Sequence, residues 1–367
     1  MTETPRHPYL GLPDRQFWRN EPGIADPAAF DPVSDVPFQI SRADRVVTAG
    51  SCFAQHLGRH LAQAGFCHFL TEPAHPLFDD ALAHRFGYGL FSARYGNLYT
   101  PRQLLQLLHR AYGQFEPLQS AWPRGDAPRP EESRVVDPFR PQIQPDGFTS
   151  PAELAADREV HFAAISRAVE QMQVFVFTLG LTEAWEDSRD GAIFPLAPGV
   201  AGGVYDPETV RFRNFDEVET AADLTAALGF IRAKNPAVRI VLTVSPVPLN
   251  ATYEPRHVYL STTLSKAMLR LAAERVAAAF DACCYFPSYE IITAPHTRTR
   301  YFAADCREVL PAGVDHVMRL FFRHFAAEAG VAPVQAPDTA KADLAAHLEK
   351  IEAAIDLLCD EQAISNR

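Results

Sequence analysis

Residues 45–63 read RVVTAGSCFAQHLGRHLAQ, and this stretch decides the fold. Its opening run, Arg45 to Ala49, is rich in β-branched residues and predicts a short strand. Gly50-Ser51 breaks the run. Phe53, Ala54, Leu57 and Leu61 then fall three and four apart, the spacing of one helical face. Strand, tight turn and helix in that order form the unit from which parallel sheets are built.

The same chemistry recurs downstream. Residues 174–179 (VFVFTL) end at Gly180, and 238–244 (VRIVLTV) stop at Ser245-Pro246-Val247-Pro248. Continuous apolar runs of this length suit strands covered on both faces. Weaker strands are expected at 67–71 (CHFLT) and 283–286 (CCYF). Amphipathic stretches at 102–113, 153–171, 216–234, 261–280 and 309–329 predict the intervening helices, the second opening on Ser150-Pro151 and Glu153 as a cap. The alternation predicts an α/β, three-layer αβα fold around a doubly wound parallel sheet of five strands.

The chain carries 367 residues, a net charge of −11, 47% hydrophobic and 22% charged residues. That balance fits a globular protein and argues against nucleic-acid or anionic-membrane partners, which are held through clustered Lys and Arg. No run approaches a membrane span, and MTETPRHPYLGLPDRQFW has no apolar leader, so a cytoplasmic place is expected. Six cysteines without a CxxC pair signal neither a zinc cage nor a disulfide framework. His56 and His60 lie one helical turn apart with no spaced acidic partner, so no metal site is expected.

Thirty prolines against 19 glycines point to long ordered loops. Residues 1–44 read as an N-terminal arm laid over a domain spanning 45–330, and 331–367 as a C-terminal helix that packs back on the domain or pairs with a second copy. Insertions are expected at 117–151, which holds eight prolines, and at 187–215, a Gly/Pro-rich hairpin or flap. Phe115, Trp122, Phe139 and Phe148 suggest cleft walls.

Ligands of open α/β sheets bind outside the carboxyl ends of the strands. Ser51 sits there, at a helix start whose orphan N–H groups favour developing negative charge. It is either an activated nucleophile or a helix cap. Cys52 is the rival nucleophile, its thiol activated by the same turn. Thr182 and Glu183 after Gly180 offer a hydroxyl and a carboxylate, or else open a helix. Gly96-Asn97 reads as a turn.

Gly50-Ser51-Cys52-Phe53-Ala54 resembles, letter for letter, the signature of GSCFA-domain proteins, which look like a branch of the SGNH (GDSL) hydrolases. LYTPRQLLQL, FTLGLTEAW, LTVSPVPL, LSKAMLRLA and YFPSYEI are similar to the same family in the same order, so the likeness covers roughly 8–330. The resemblance implies a flavodoxin-like, SGNH-type sheet, with Ser51 as nucleophile and an oxyanion hole from Ser51, Gly96 and Thr182. Thr182 stands where the superfamily has Asn.

The superfamily's closing Asp-x-x-His falls on Asp305-Cys306-Arg307-Glu308, with Glu308 in place of the base. His316 becomes the candidate base and Asp305 its orienting partner, with His257 after the fourth strand as the alternative. On one continuous helix Glu308 and His316 would share a face about 12 Å apart. Glu308 could itself act as a base if burial raised its pKa, and His324 reads as surface.

What the resemblance implies is an esterase or O-acyltransferase acting on O-acyl esters of a carbohydrate or glycan precursor. It would need no cofactor, beyond an acyl-CoA donor if it transfers. The alternative is an inactive SGNH-like protein that binds a carbohydrate or small molecule.

Overall fold

The β-branched and aromatic runs form the centre of the molecule. In the computed structural model, residues 7–125, 134–327 and 360–364 are described. The first part holds β1 (Val46–Gly50), α1 (Phe53–Gln63), α2 (Asp80–Arg85), α3 (Pro101–Ala111), β2 (Trp122–Pro123), β3 (Val135–Val136) and α4 (Pro151–Gln171). Next come β4 (Val174–Leu179), β5 (Glu183–Asp187), β6 (Ile193–Phe194), β7 (Val210–Asn214) and α5 (Glu217–Lys234). Then follow β8 (Arg239–Val244), α6 (Val258–Ala279), β9 (Cys283–Tyr285), α7 (Ser288–Thr293) and α8 (Pro311–Phe325).

Strands β1, β4, β8 and β9 pair in parallel in the order β1-β4-β8-β9, with Gly50 opposite Thr178 and Leu179 opposite Val244. Alternate residues of β4 serve opposite layers. Phe175 and Phe177 pack with α3, α4, α5 and α6, whereas Val174 and Val176 pack with α1, α7 and α8. Full burial of each such side chain contributes roughly 1.5–3 kcal/mol. The result is a mixed α/β architecture with helices on both faces of a four-stranded sheet.

The strand expected at 67–71 does not form. His68 makes a single parallel bridge to Val46, held by Val46 N–H to the Cys67 carbonyl and Phe69 N–H to the Val46 carbonyl. Thr71 then turns its N–H to the Ser92 carbonyl, which takes the chain off the sheet edge. The sheet therefore has four strands among the described residues, not five.

The helices follow local chemistry. Ser150 accepts from the Glu153 N–H to cap α4, and Asp216 with Glu219 closes a capping box on α5. Before α8 the chain is irregular, and the helix begins only at Pro311. Glu308 is thus off the helix that carries His316, against the shared-face expectation.

The 187–215 segment folds back as part of an antiparallel sheet, β6-β5-β7. Trp122 and Phe139 pack on Phe194 of this sheet at 4.8 and 5.4 Å between rings, with Phe115 against the same cluster. Phe148 joins Val135, Ile143 and Leu154. These aromatics fill a local core instead of walling the cleft after β1. Residues of the arm meet α8: Arg319 donates to the Ala28 carbonyl, and His324, expected at the surface, bonds the Asp31 carboxylate at 2.9 Å. Most of the expected C-terminal helix lies outside the described residues; within it, Asp360–Ile364 forms a short 3-10 turn. Among the described residues no helix is long and apolar enough to cross a membrane.

Candidate active site

Three parallel strands end side by side, and the residue following each lines one cleft: Ser51 after β1, Gly180 after β4 and Ser245 after β8. Cys52, Tyr99 and Glu361 also line it, and the apolar Leu181, Val247, Pro248 and Leu249 complete its walls. Two glycines make the close approach possible. Gly50 has φ +130°, and a Cβ there would lie 2.2 Å from the Thr178 carbonyl oxygen. A Cβ on Gly180 would lie 3.0 Å from the Ser51 Cβ and 2.9 Å from the Tyr99 ring.

Ser51 is 2% exposed, and its hydroxyl has no hydrogen-bond partner. It therefore does not cap α1, whose start carries no side-chain cap bond. A buried, unmet hydroxyl costs about 1–3 kcal/mol, a cost a purely structural serine would avoid. The Ser51 N–H is already given to the Thr178 carbonyl at 3.0 Å, so in this geometry it does not serve an oxyanion. Cys52 is buried beside it on the cleft wall.

The remaining expected residues are dispersed. The Thr182 hydroxyl donates to Asn214 Oδ1 at 2.7 Å and sits 3.1 Å from Ser265 Oγ, which holds it away from the cleft. Gly96 adopts φ +67° in its turn but is not among the cleft-lining residues. Asn97 is buried and donates to the Asp360 carboxylate at 3.1 Å. Glu183 accepts from the Thr252 hydroxyl at 2.6 Å and the Tyr253 N–H. Burial raises its carboxyl above the usual range despite those two bonds.

Among the described residues no histidine is hydrogen-bonded to Ser51. Both ring nitrogens of His316 are spent, Nδ1 on the Tyr301 hydroxyl at 2.7 Å and Nε2 on the Phe30 carbonyl at 2.9 Å. Burial lowers the His316 pKa, as does the charge of Arg319. His257 is exposed and caps α6, Nδ1 accepting from the Tyr259 N–H. Asp305 accepts the N–H groups of Arg307 and Glu308 in an exposed turn and touches no imidazole. Glu308 is itself exposed and is not among the residues that line the cleft.

The structure brings forward a residue that sequence reasoning missed. Lys266 of α6 is 2% exposed and donates from Nζ to the Gly180 carbonyl at 2.6 Å. Burial lowers its pKa to about 8, against the upward pull of the Glu361 charge. Its position was readable: Lys266, Leu269, Ala273 and Val276 share the three- and four-residue spacing of the buried face of α6. A lysine on that face has nowhere apolar to hide its charge. Glu361 is the second such residue, 310 positions from Ser51 in the chain, and no local pattern links the two.

The arrangement can present a hydroxyl to a bound carbonyl group, with a buried amine one backbone unit away. No curated protein matches the chain. The GSCFA family matches residues 45–321, from the start of β1 to well inside α8. Since that match takes in the whole sheet and most of the chain, the protein belongs to the GSCFA family.

Proposed function

We propose that the protein is a serine acyl enzyme, hydrolysing or transferring an O-acyl group, with a carbohydrate or glycan precursor as the acyl-bearing partner. The observation that carries the reading is the Ser51 hydroxyl: buried, bonded to nothing, and set at the end of β1 in a cleft made by three strand ends. The family's likeness to SGNH hydrolases, with their flavodoxin-like five-stranded sheet, supports the choice of acyl chemistry. The sugar is argued from that fold-level analogy.

Lys266 takes the role left open by the absent histidine. At pH 7 a lysine with a pKa of about 8 is neutral in roughly a tenth of molecules, and a neutral amine accepts a proton. Ser51 Oγ attacks the ester carbon as its proton passes to Nζ, directly or through one water. The tetrahedral intermediate collapses, the ester C–O bond breaks, and the ammonium returns the proton to the departing alcohol. Water, or an acceptor hydroxyl, then attacks the acyl-serine in the same way.

Ser51→Ala should abolish turnover of p-nitrophenyl acetate and labelling by a fluorophosphonate. Lys266→Met should lower both by about 100-fold or more, in the range of a lost general base. A wild-type rate in Ser51→Ala would end the nucleophile assignment. A second reading, binding without turnover, is favoured by the engagement of both His316 nitrogens away from Ser51. It predicts no fluorophosphonate adduct on Ser51 in any variant.

A further inference from the structure

The Ser51 cleft already has an occupant. The turn Asp360–Ile364 lies across it, and the only side chains it buries are two acids. Glu361 is 7% exposed and lines the cleft with Ser51. Its Oε2 accepts from Arg307 at 3.1 Å and its Oε1 from the Asn250 N–H at 3.3 Å, while Asn250 Nδ2 donates to the Glu361 carbonyl at 2.8 Å. Asp360 gives its N–H to the Tyr99 hydroxyl and accepts from Asn97 Nδ2, both at 3.1 Å.

We propose that Arg307 and Asn250 form a carboxylate subsite of the Ser51 cleft, that the enzyme's substrate is a carboxylate-bearing O-acyl ester, and that Glu361 holds this subsite as an internal stand-in until such a ligand displaces it. The proposal rests on the reading of Ser51 as the acyl-accepting residue.

Three features support it. A guanidinium beside a backbone N–H is a donor set matched to a carboxylate, and both Glu361 oxygens use it. The donors come from separate elements, Asn250 after β8 and Arg307 before α8, so they belong to the domain and not to the turn, and they meet at Glu361, which lines the cleft. Within the described turn the fully buried side chains are both acids, Ala363 and Ile364 being half-buried, so polar bonds that a free carboxylate could replace by mass action make up its buried contacts with the cleft. A segment anchored by apolar burial would not exchange in this way.

Occupancy also bears on chemistry. The Glu361 charge favours the protonated form of Lys266, the form that cannot accept the serine proton. Departure of the segment would uncover Ser51 and release the amine together.

The test uses the full chain. Fluorophosphonate labelling of Ser51 is timed in wild type, Glu361→Gln and the double variant Asp360→Asn/Glu361→Gln. Loss of one charge-assisted contact should speed labelling by about tenfold, and the double variant should label faster still. In parallel, hydrogen exchange of residues 360–364 is followed with monomethyl succinate, which carries an ester and a carboxylate, and with neutral dimethyl succinate. Only the monomethyl ester should raise exchange, and Arg307→Met should cancel the effect.

Slower labelling in Glu361→Gln would make Glu361 part of the machinery and overturn the proposal, as would equal exchange with the two esters. If Ser51 is never labelled, the acyl-enzyme reading fails while the exchange experiment still decides the carboxylate subsite.

Discussion

Two buried polar regions of this protein are built in opposite ways. Under the loops beside α4, the carboxylates are saturated. Asp137 accepts from Arg140 at 2.9 Å and from the Phe139 N–H at 3.0 Å, with Arg158 at 3.3 Å. Asp157 takes Arg94 and Arg140 at 2.7 and 2.8 Å, and Glu72 takes His161 and the Arg94 N–H at 2.7 and 2.8 Å. At the Ser51 cleft the hydroxyl has no partner, and the carboxylate is supplied by a segment distant in the chain. The carboxylates of the first region are spent on holding loops to α4, although Arg158 Nε and His161 Nε2 beside them make no hydrogen bond. The second leaves bonding capacity unspent at the end of the sheet, which is what a site for a ligand requires.

The sharpest way to break the comparison is to remove a carboxylate from the saturated region. Asp137→Ala would strand Arg140 and Arg158 with one counter-charge fewer in a buried setting. Breaking a buried pair from one side costs about 3–5 kcal/mol. A large fall in the urea midpoint is expected, with fluorophosphonate labelling of Ser51 unchanged under conditions where the variant is folded. A small loss of stability would mean that the cluster is not structural in the sense claimed.

This contrast also separates what could be read in the sequence from what could not. Val46 to Gly50, with the helix after it, was legible because strand and helix signals are local and the turn needs a glycine at φ +130°. The strand at 67–71 was misread: its residues suit a strand, but hydrogen bonds to Ser92 take the chain away after one bridge. The place of Ser51, in the turn between a strand end and a helix, was legible from its neighbours. The surroundings of His316 were not. The Asp305–Glu308 turn and His316 are near each other in sequence, yet α8 begins after the turn and points His316 at Tyr301 and Phe30. The spacing along α6 puts Lys266 on its buried face, but only packing brings it to the Gly180 carbonyl behind the cleft; Glu361 reaches the cleft through a chain reversal that no local pattern records.

An intermediate effect concerns pH, where both regions should gain stability as pH rises, but in separate windows, one acidic and one alkaline. In Glu72 burial would raise the carboxyl, but the hydrogen bond and charge of His161 and the charge of Arg140 outweigh it and hold the pKa down to about 2. Its stabilisation is present above the unfolded carboxyl pKa and lost as pH falls toward 2. Lys266 is also depressed, but it is a base. Between its folded pKa of about 8 and the unfolded value near 10.4, the unfolded chain binds more protons, so its contribution to stability rises with pH. The rise is on the order of 3 kcal/mol across that window. Urea midpoints at pH 8 and 10.5 for wild type and Lys266→Met measure it by difference. An identical pH response in the two proteins would show that Lys266 is not held as a depressed cation in the cleft.

The smallest expected effect discriminates most finely between the regions. A serine kept for structure loses stability on conversion to alanine, because its hydrogen bonds vanish and their partners are left buried. Thr182 illustrates that case, since its hydroxyl serves Asn214 and Ser265. Ser51 leaves no partner behind, and its removal relieves a buried hydroxyl of an unmet bond. Ser51→Ala should therefore unfold at the same urea concentration as wild type or slightly higher, a gain of up to about 1 kcal/mol. Thr182→Ala should lose roughly that much. If the order were reversed, with Ser51→Ala the less stable, the hydroxyl would be making a bond essential to the fold, and the cleft would belong with the saturated region rather than opposite it.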